Sequence, residues 1–173
     1  MSTPRLSETS YVVLGLLELA EPATPYDLKR LAAVSTSNFW ALPHTQLYTE
    51  CARLAQAGLL EEEREQTGRR RRSYRLAARG REALQAWRDE PTSELYELRD
   101  AGMLKLFFGA DPLTLADSQL EAHGRRLHAF EQLRAAGAGM SEGARMALEG
   151  GIGHEREFIR FWKRVREQRA PER

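Results

Sequence analysis

The sequence predicts a mainly α-helical chain with one small β-hairpin. Residues 1–90 read as an N-terminal unit of three helices, the hairpin and a closing helix, and residues 91–173 as a C-terminal helical arm. Three observations predict this. Apolar residues recur at helical spacing through most of the 173 residues. The one alternating stretch flanks a Thr-Gly pair at 67–68. Beyond Pro91 the pattern stays helical, with no further strand signal.

Thr9 or Ser10 is placed to cap a first helix through Tyr11, Val12, Leu14, Leu16, Leu17 and Leu19, and Glu21-Pro22 ends it. Thr24-Pro25 restarts the chain as N-cap and first helical residue, where a missing amide costs nothing. That second helix, Pro25 to about Ala33, is expected to bury Tyr26, Leu28 and Leu31, and Ser35 to Asn38 break it. Pro43 opens a third helix that stops at Gly58, with Leu47, Cys51 and Leu54 as one buried stripe.

LLEEEREQ, TG and RRRRSYRL then read as two strands around a turn, with Leu60, Tyr74 and Leu76 facing inward and Arg75 and Arg79 paired with the Glu61–Glu65 strand. A fourth helix, Ala77 to Trp87, turns Ala83, Leu84 and Trp87 inward. Three helices followed by a basic hairpin is the order of a winged helix-turn-helix.

In the arm, helices are expected over Glu94–Phe108, about Leu113–Ala136 and Ser141–Glu167. Leu113, Leu120 and Leu127 repeat every seven residues, as a seam between helices requires. On the last helix Leu148, Ile152, Ile159 and Trp162 form one apolar stripe, and Phe158, Phe161 and Val165 a second beside it. Two apolar faces need two partners: one is the chain itself, and the other is expected to be a second copy in a homodimer.

Charge is informative by its distribution. The net charge is +1, but residues 69–81 hold seven arginines after the acidic run 61–65. Cys51 is the one cysteine, which excludes an internal disulfide and a cysteine-rich zinc site and reads as a small core residue rather than a redox thiol. His44, His123, His128 and His154 are scattered and match no catalytic or phosphate-loop motif, so no catalytic residue, metal or cofactor is expected. No apolar run reaches the length of a membrane span and the start lacks a secretion signal, so a cytoplasmic protein is expected.

The outer face of the third helix carries Thr45, Gln46, Thr49 and Arg53, flanked by His44, in place of the usual Glu and Lys. Short hydrogen-bonding side chains suit base edges in a major groove, although an ordinary solvated helix fits the same composition. Arg69, Arg70, Arg71 and Arg72 at the hairpin tip are expected to grip phosphates or a minor groove, with Lys29, Ser35 and Ser37 as secondary phosphate contacts.

PHTQLYTECARLAQAGLLEEE and TGRRRRSYRLAARGREAL together resemble the winged-helix domain of the PadR family of transcriptional regulators. The matching features are Pro43 to Tyr48 at the start of the recognition helix, Leu54, Gly58 and Leu59 at its end, then Tyr74-Arg75-Leu76, Ala77 and Gly80. Around Gln46 the chain departs from the commonest family pattern, either by one inserted residue or by Gln46 in place of an apolar residue. LRDAGMLKLFFG and GGIGHEREFIRFWKRV are similar to the family's dimerisation helices, so the resemblance spans about residues 7 to 169.

The resemblance implies a homodimer on a near-palindromic operator in double-stranded DNA, usually a repressor released by a small molecule or another signal. It also places Tyr48 at the DNA face, although packing between helices suits that residue slightly better. Phe107, Phe108, His154, Phe158 and Trp162 are candidates to line an effector cavity, with a place in the dimer core as their plainer role. A MarR-like regulator is the nearest structural alternative, but such proteins usually have a dimer helix before the winged helix. A winged helix serving only protein interaction is the other, and such domains usually lack a basic wing.

Overall fold

A computed structural model describes residues 5–65, 71–137 and 139–169, the side chains of His44 and Arg169 excepted. The chain divides into two units, residues 1–94 and 95–173.

The first unit contains α1 (Glu8–Ala20), α2 (Pro25–Ala33), a 3-10 turn (Thr36–Asn38), α3 (His44–Gln56), β1 (Leu60–Arg64), β2 (Arg72–Leu76) and α4 (Ala78–Asp89). Ser7, rather than Thr9 or Ser10, caps α1, because its side chain and that of Ser10 reciprocally satisfy the first-turn amides. Thr24 caps α2 as expected: its Oγ1 accepts from the Asp27 amide at 3.2 Å, and Asp27 Oδ2 accepts from the Thr24 amide at 3.0 Å. The Thr24 hydroxyl, donating to Asp27 Oδ2 at 2.7 Å, and the Thr24 amide together hold the Asp27 carboxyl below its ordinary pKa.

One core holds this unit together. Val13, Leu14, Leu16 and Leu17 of α1 pack with Leu28, the α3 stripe Leu47–Cys51–Leu54, Leu59, Leu60, Tyr74, Leu76 and Leu84. Burial pushes the Cys51 thiol up to about 12, so it is a packed, protonated side chain. Gly58 ends α3 at φ +72°, a backbone state that favours glycine. At Gly80 a Cβ would lie 2.2 Å from the Leu59 carbonyl oxygen, so α4 can approach the strand entry this closely only at glycine.

Three expectations are corrected here. Tyr26 is exposed, because α2 turns Leu28, Ala32 and Pro25 inward. Trp87 is half exposed and stacks on Tyr11, with ring centroids 4.8 Å apart. Arg79 leaves the acidic strand and donates to the Ala57 carbonyl at 3.3 Å, serving the C-terminus of α3.

The hairpin register sets Leu60 against Leu76, Glu61 against Arg75, Glu62 against Tyr74 and Arg64 against Arg72. Leu60, Tyr74 and Leu76 are buried, as the alternation predicts. The loop before α2 adds a short third rung, with Ala23 and Tyr74 exchanging backbone hydrogen bonds at 3.1 and 2.9 Å. Glu21 fastens this junction by accepting the Leu76 amide at 2.8 Å and pairing with Arg81.

The second unit contains α5 (Ala101–Phe107), α6 (Pro112–Ala136) and α7 (Glu142–Arg169). The helix expected from Glu94 begins only at Ala101. Asp100 caps it, accepting from the Gly102 and Met103 amides at 2.7 and 3.0 Å, and Leu95, Tyr96 and Leu98 before it are exposed, with no face to bury. Asp111 caps α6 with Pro112 behind it.

Helices α6 and α7 pack along their length, with Phe130, Leu148 and Ile152 buried and Leu127, Leu133 and Met140 partly so. The seam also holds a charged cluster. Glu155, 2% exposed, sits between His123 Nδ1 at 2.5 Å and Arg126 Nε at 3.2 Å.

Candidate nucleic-acid interface

Helix α3 is anchored on one side and free on the other. Leu47, Cys51 and Leu54 are buried, and the opposite face exposes Thr45, Gln46, Tyr48 and Thr49. A helix of this kind presents polar side chains outward on a rigid base, as insertion into a groove requires. Thr49 Oγ1 donates back to the Thr45 carbonyl at 3.1 Å, which fixes its rotamer and leaves its lone pairs facing outward. Tyr48 is 50% exposed, so it stands on the outer surface rather than between helices.

Arg53 does not stand beside these residues as a free cation. Its Nε and Nη2 donate to the two oxygens of Glu50 at 2.9 and 2.6 Å, and Nη2 also reaches Ser10 Oγ at 3.0 Å. Arg53, chiefly by hydrogen bonding, holds the largely buried Glu50 carboxyl below the usual carboxylate range, and Glu50 in turn raises the Arg53 guanidinium. An open depression beside this cluster is lined by Ser7, Thr9, Thr45, Gln46, Thr49 and Glu50, so the start of α1 borders the exposed face of α3.

The hairpin stands next to α3 in sequence and packs on it. Arg71 and Arg72 are exposed at its described end, while Arg69 and Arg70 lie outside the described residues. The like charges Arg64 and Arg72 face each other across the ladder, and Glu62 lies between them. It pairs with Arg64, lies 3.8 Å from Arg72 Nε, and accepts from the Tyr74 hydroxyl at 3.2 Å. The Arg64 contact holds the Glu62 carboxyl below its ordinary range. Arg71 is therefore less closely compensated by hairpin acids than Arg72.

Of the secondary contacts, Lys29 is half-buried on α2, Ser37 is exposed, and the Ser35 hydroxyl is engaged with the Leu31 carbonyl at 2.7 Å. Sequence reasoning passed over Phe39 and Trp40, both exposed just before α3. Two adjacent aromatics in a polar loop were the available signal. It also passed over Ser10 and Glu50, although Glu50 is the one acid in α3 and stands three residues before Arg53.

In the arm, Leu148, Ile152 and Trp162 are buried within the single chain, and Phe158, Ile159, Phe161 and Val165 remain partly exposed. His154 stacks on Phe158 at 4.7 Å and His123 lies against the same ring at 5.0 Å. Phe107 and Phe108, 83% and 76% exposed, contact each other edge to face. The structure thus groups His154 with Phe158 and sets Phe107 with Phe108. Among the described residues no cluster of His, Cys, Asp or Glu could hold a metal, and no helix is long and apolar enough to cross a membrane.

Comparison with known proteins agrees with this geometry. Residues 13–86 match the transcriptional regulator PadR-like family. The negative transcriptional regulator PadR of Bacillus subtilis is 29% identical over 102 residues, covering 57% of this chain and 54% of that protein; the match thus spans about half the length of the relative. The crystal structure of Bacillus subtilis PadR in complex with operator DNA superposes with a TM-score of 0.81 at 19% identity, over 95% of this chain and 99% of the other. The same protein in complex with p-coumaric acid gives 0.75 at 20% identity, over 94% and 98%. At such identities the superpositions show a shared fold, including the arm. With a winged helix matching that family over residues 13–86 and a fold matching over nearly the whole chain, this protein is similar to the PadR-like transcriptional regulators.

Proposed function

We propose that the chain acts in the cytoplasm as a dimeric, sequence-specific DNA-binding repressor, with α3 in the major groove and the hairpin on the flanking backbone. The observation that carries this reading is the two-sided character of α3, an exposed face of Thr45, Gln46 and Thr49 on a helix whose other side is locked into the core. Those three residues read base edges. Arg71 and Arg72, with Arg69 and Arg70 just before them in the sequence, supply salt-dependent affinity.

Dimerisation is supported by the arm, whose α5 and α7 carry apolar side chains that the single chain leaves uncovered. Two copies would place two α3 helices about one turn of duplex apart on a near-palindromic operator. The regulator from Bacillus subtilis binds operator DNA and p-coumaric acid. By analogy, a small aromatic effector is received in the arm near the His154–Phe158 stack and releases the DNA.

The test is a gel-shift titration of the full chain against a duplex spanning its own promoter, at about 50 and 200 mM salt. With six or more phosphate contacts from the dimer, affinity falls roughly a thousandfold between those concentrations. A monomeric protein, or one with no salt-sensitive affinity for duplex DNA, overturns the reading.

A further inference from the structure

We propose that Ser10, Glu50 and Arg53 form a lock that sets the roll of α3 against α1, so that Arg53 serves recognition as a positioning residue and not by touching DNA. The inference rests on the reading of α3 as the recognition helix.

The guanidinium of Arg53 is nearly saturated from within the protein. It has five N–H donors. Two meet the Glu50 oxygens at 2.9 and 2.6 Å, another reaches Ser10 Oγ at 3.0 Å, and Nη1 faces the Arg5 carbonyl at 3.4 Å. A fork held in this way cannot also meet a guanine edge or a phosphate with two N–H groups without releasing Ser10 or Glu50. Glu50 is 8% exposed, and a bare carboxylate there would repel an approaching phosphate backbone. Ser10, fully buried, passes the connection on: its Oγ also accepts the Ser7 amide at 2.9 Å, which ties the lock to the cap of α1.

Helical spacing explains why this position matters. Gln46, Glu50 and Arg53 recur at i, i+4 and i+7 and share one flank. That flank lies between the buried stripe Leu47–Cys51–Leu54 and the outward Thr45–Thr49 pair. Apolar packing is not directional and tolerates a small roll of the helix. Hydrogen bonds at these distances weaken steeply when misaligned. A roll that broke the lock would swing Thr45, Gln46 and Thr49 by the same angle.

The experiment compares full-length wild type with Glu50→Gln and Arg53→Lys on two duplexes of equal length, the protein's own promoter and an unrelated sequence, across a salt series. The expected result is a promoter-to-unrelated affinity ratio about tenfold lower for both variants, with the salt slope unchanged. A salt slope reduced by about one in a third variant, Arg53→Gln, which removes the charge, would assign Arg53 to a phosphate and overturn the proposal. A lowered thermal midpoint with an unchanged ratio would reduce the cluster to a fold brace and also overturn it. Should Glu50→Gln fail to fold, the Arg53→Lys ratio decides, because that variant keeps the charge. A wild type with no preference between the duplexes overturns the reading of α3 itself, a different outcome from a wild type that discriminates and variants that match it.

Discussion

The two units of this chain handle apolar surface in opposite ways. Among the described residues of 1–94, fifteen buried residues from four helices, both strands and the segments between them form one core, and the outward polar residues of α3 are left outside it. In residues 95–173 the corresponding cluster holds three residues, while Leu95, Tyr96, Leu98, Leu104, Phe107, Phe108 and Met146 are all more than half exposed. A monomeric protein rarely leaves so much apolar surface in contact with water. The contrast teaches that the first unit closes its apolar groups into a core and leaves polar groups outside, whereas the second leaves apolar side chains for the partner copy we propose.

The hardest test of the closed side is Gly80→Ala. Its Cβ would meet a backbone carbonyl, which cannot move aside like a flexible side chain, so the cost is expected at about 3 kcal/mol in urea unfolding followed by circular dichroism. A cost below about 1 kcal/mol would show that the first unit is looser than its core implies.

The incomplete side is tested by replacing Phe107 and Phe108 together with Ser. If a second copy covers them, the unfolding midpoint of the wild type rises with protein concentration, and the double variant loses that dependence along with about 2 kcal/mol of apparent stability at micromolar protein. A midpoint independent of concentration in both proteins would remove the contrast.

The smallest effect concerns the junction between hairpin and helices. The Leu76 amide, with help from Arg81, holds the Glu21 carboxyl below its ordinary value of 4.5. Because the folded pKa is depressed, its contribution is complete above about 4.5 and fades as pH falls through the lower folded value. Glu21→Gln should therefore cost about 1 kcal/mol at pH 7 and match wild type in strongly acidic solution. A pH-independent difference would mean that the charge of Glu21 does not hold the wing.

Most of the fold was legible because periodicity and punctuation act locally. Thr24-Pro25, Gly58, the inward Leu60–Tyr74–Leu76 set and the Leu47–Cys51–Leu54 stripe each carry their own physical cause, and the structure keeps all four. The failures were of two kinds. The Asp100 cap is a local signal that the apolar spacing from Glu94 masked, whereas Trp87 lying flat on Tyr11 depends on what a distant segment offers. The candidate site divides in the same manner. Thr45, Gln46 and Thr49 could be selected from helical spacing, but Arg53 looked like their neighbour until Ser10, forty-three residues earlier, was found beside it.

By itself, then, the sequence determined the element order, the inward faces of the winged helix and the placement of short polar residues on its third helix, since each follows from dihedral preference and the burial of apolar groups near one another in the chain. Tertiary structure alone decided which polar groups from distant segments meet: Arg53 with Ser10, Glu21 with Arg81, and Glu155 with His123 and Arg126. An ion pair depends on distances of a few ångströms between side chains, and where those side chains come from distant segments, only the folded core fixes those distances.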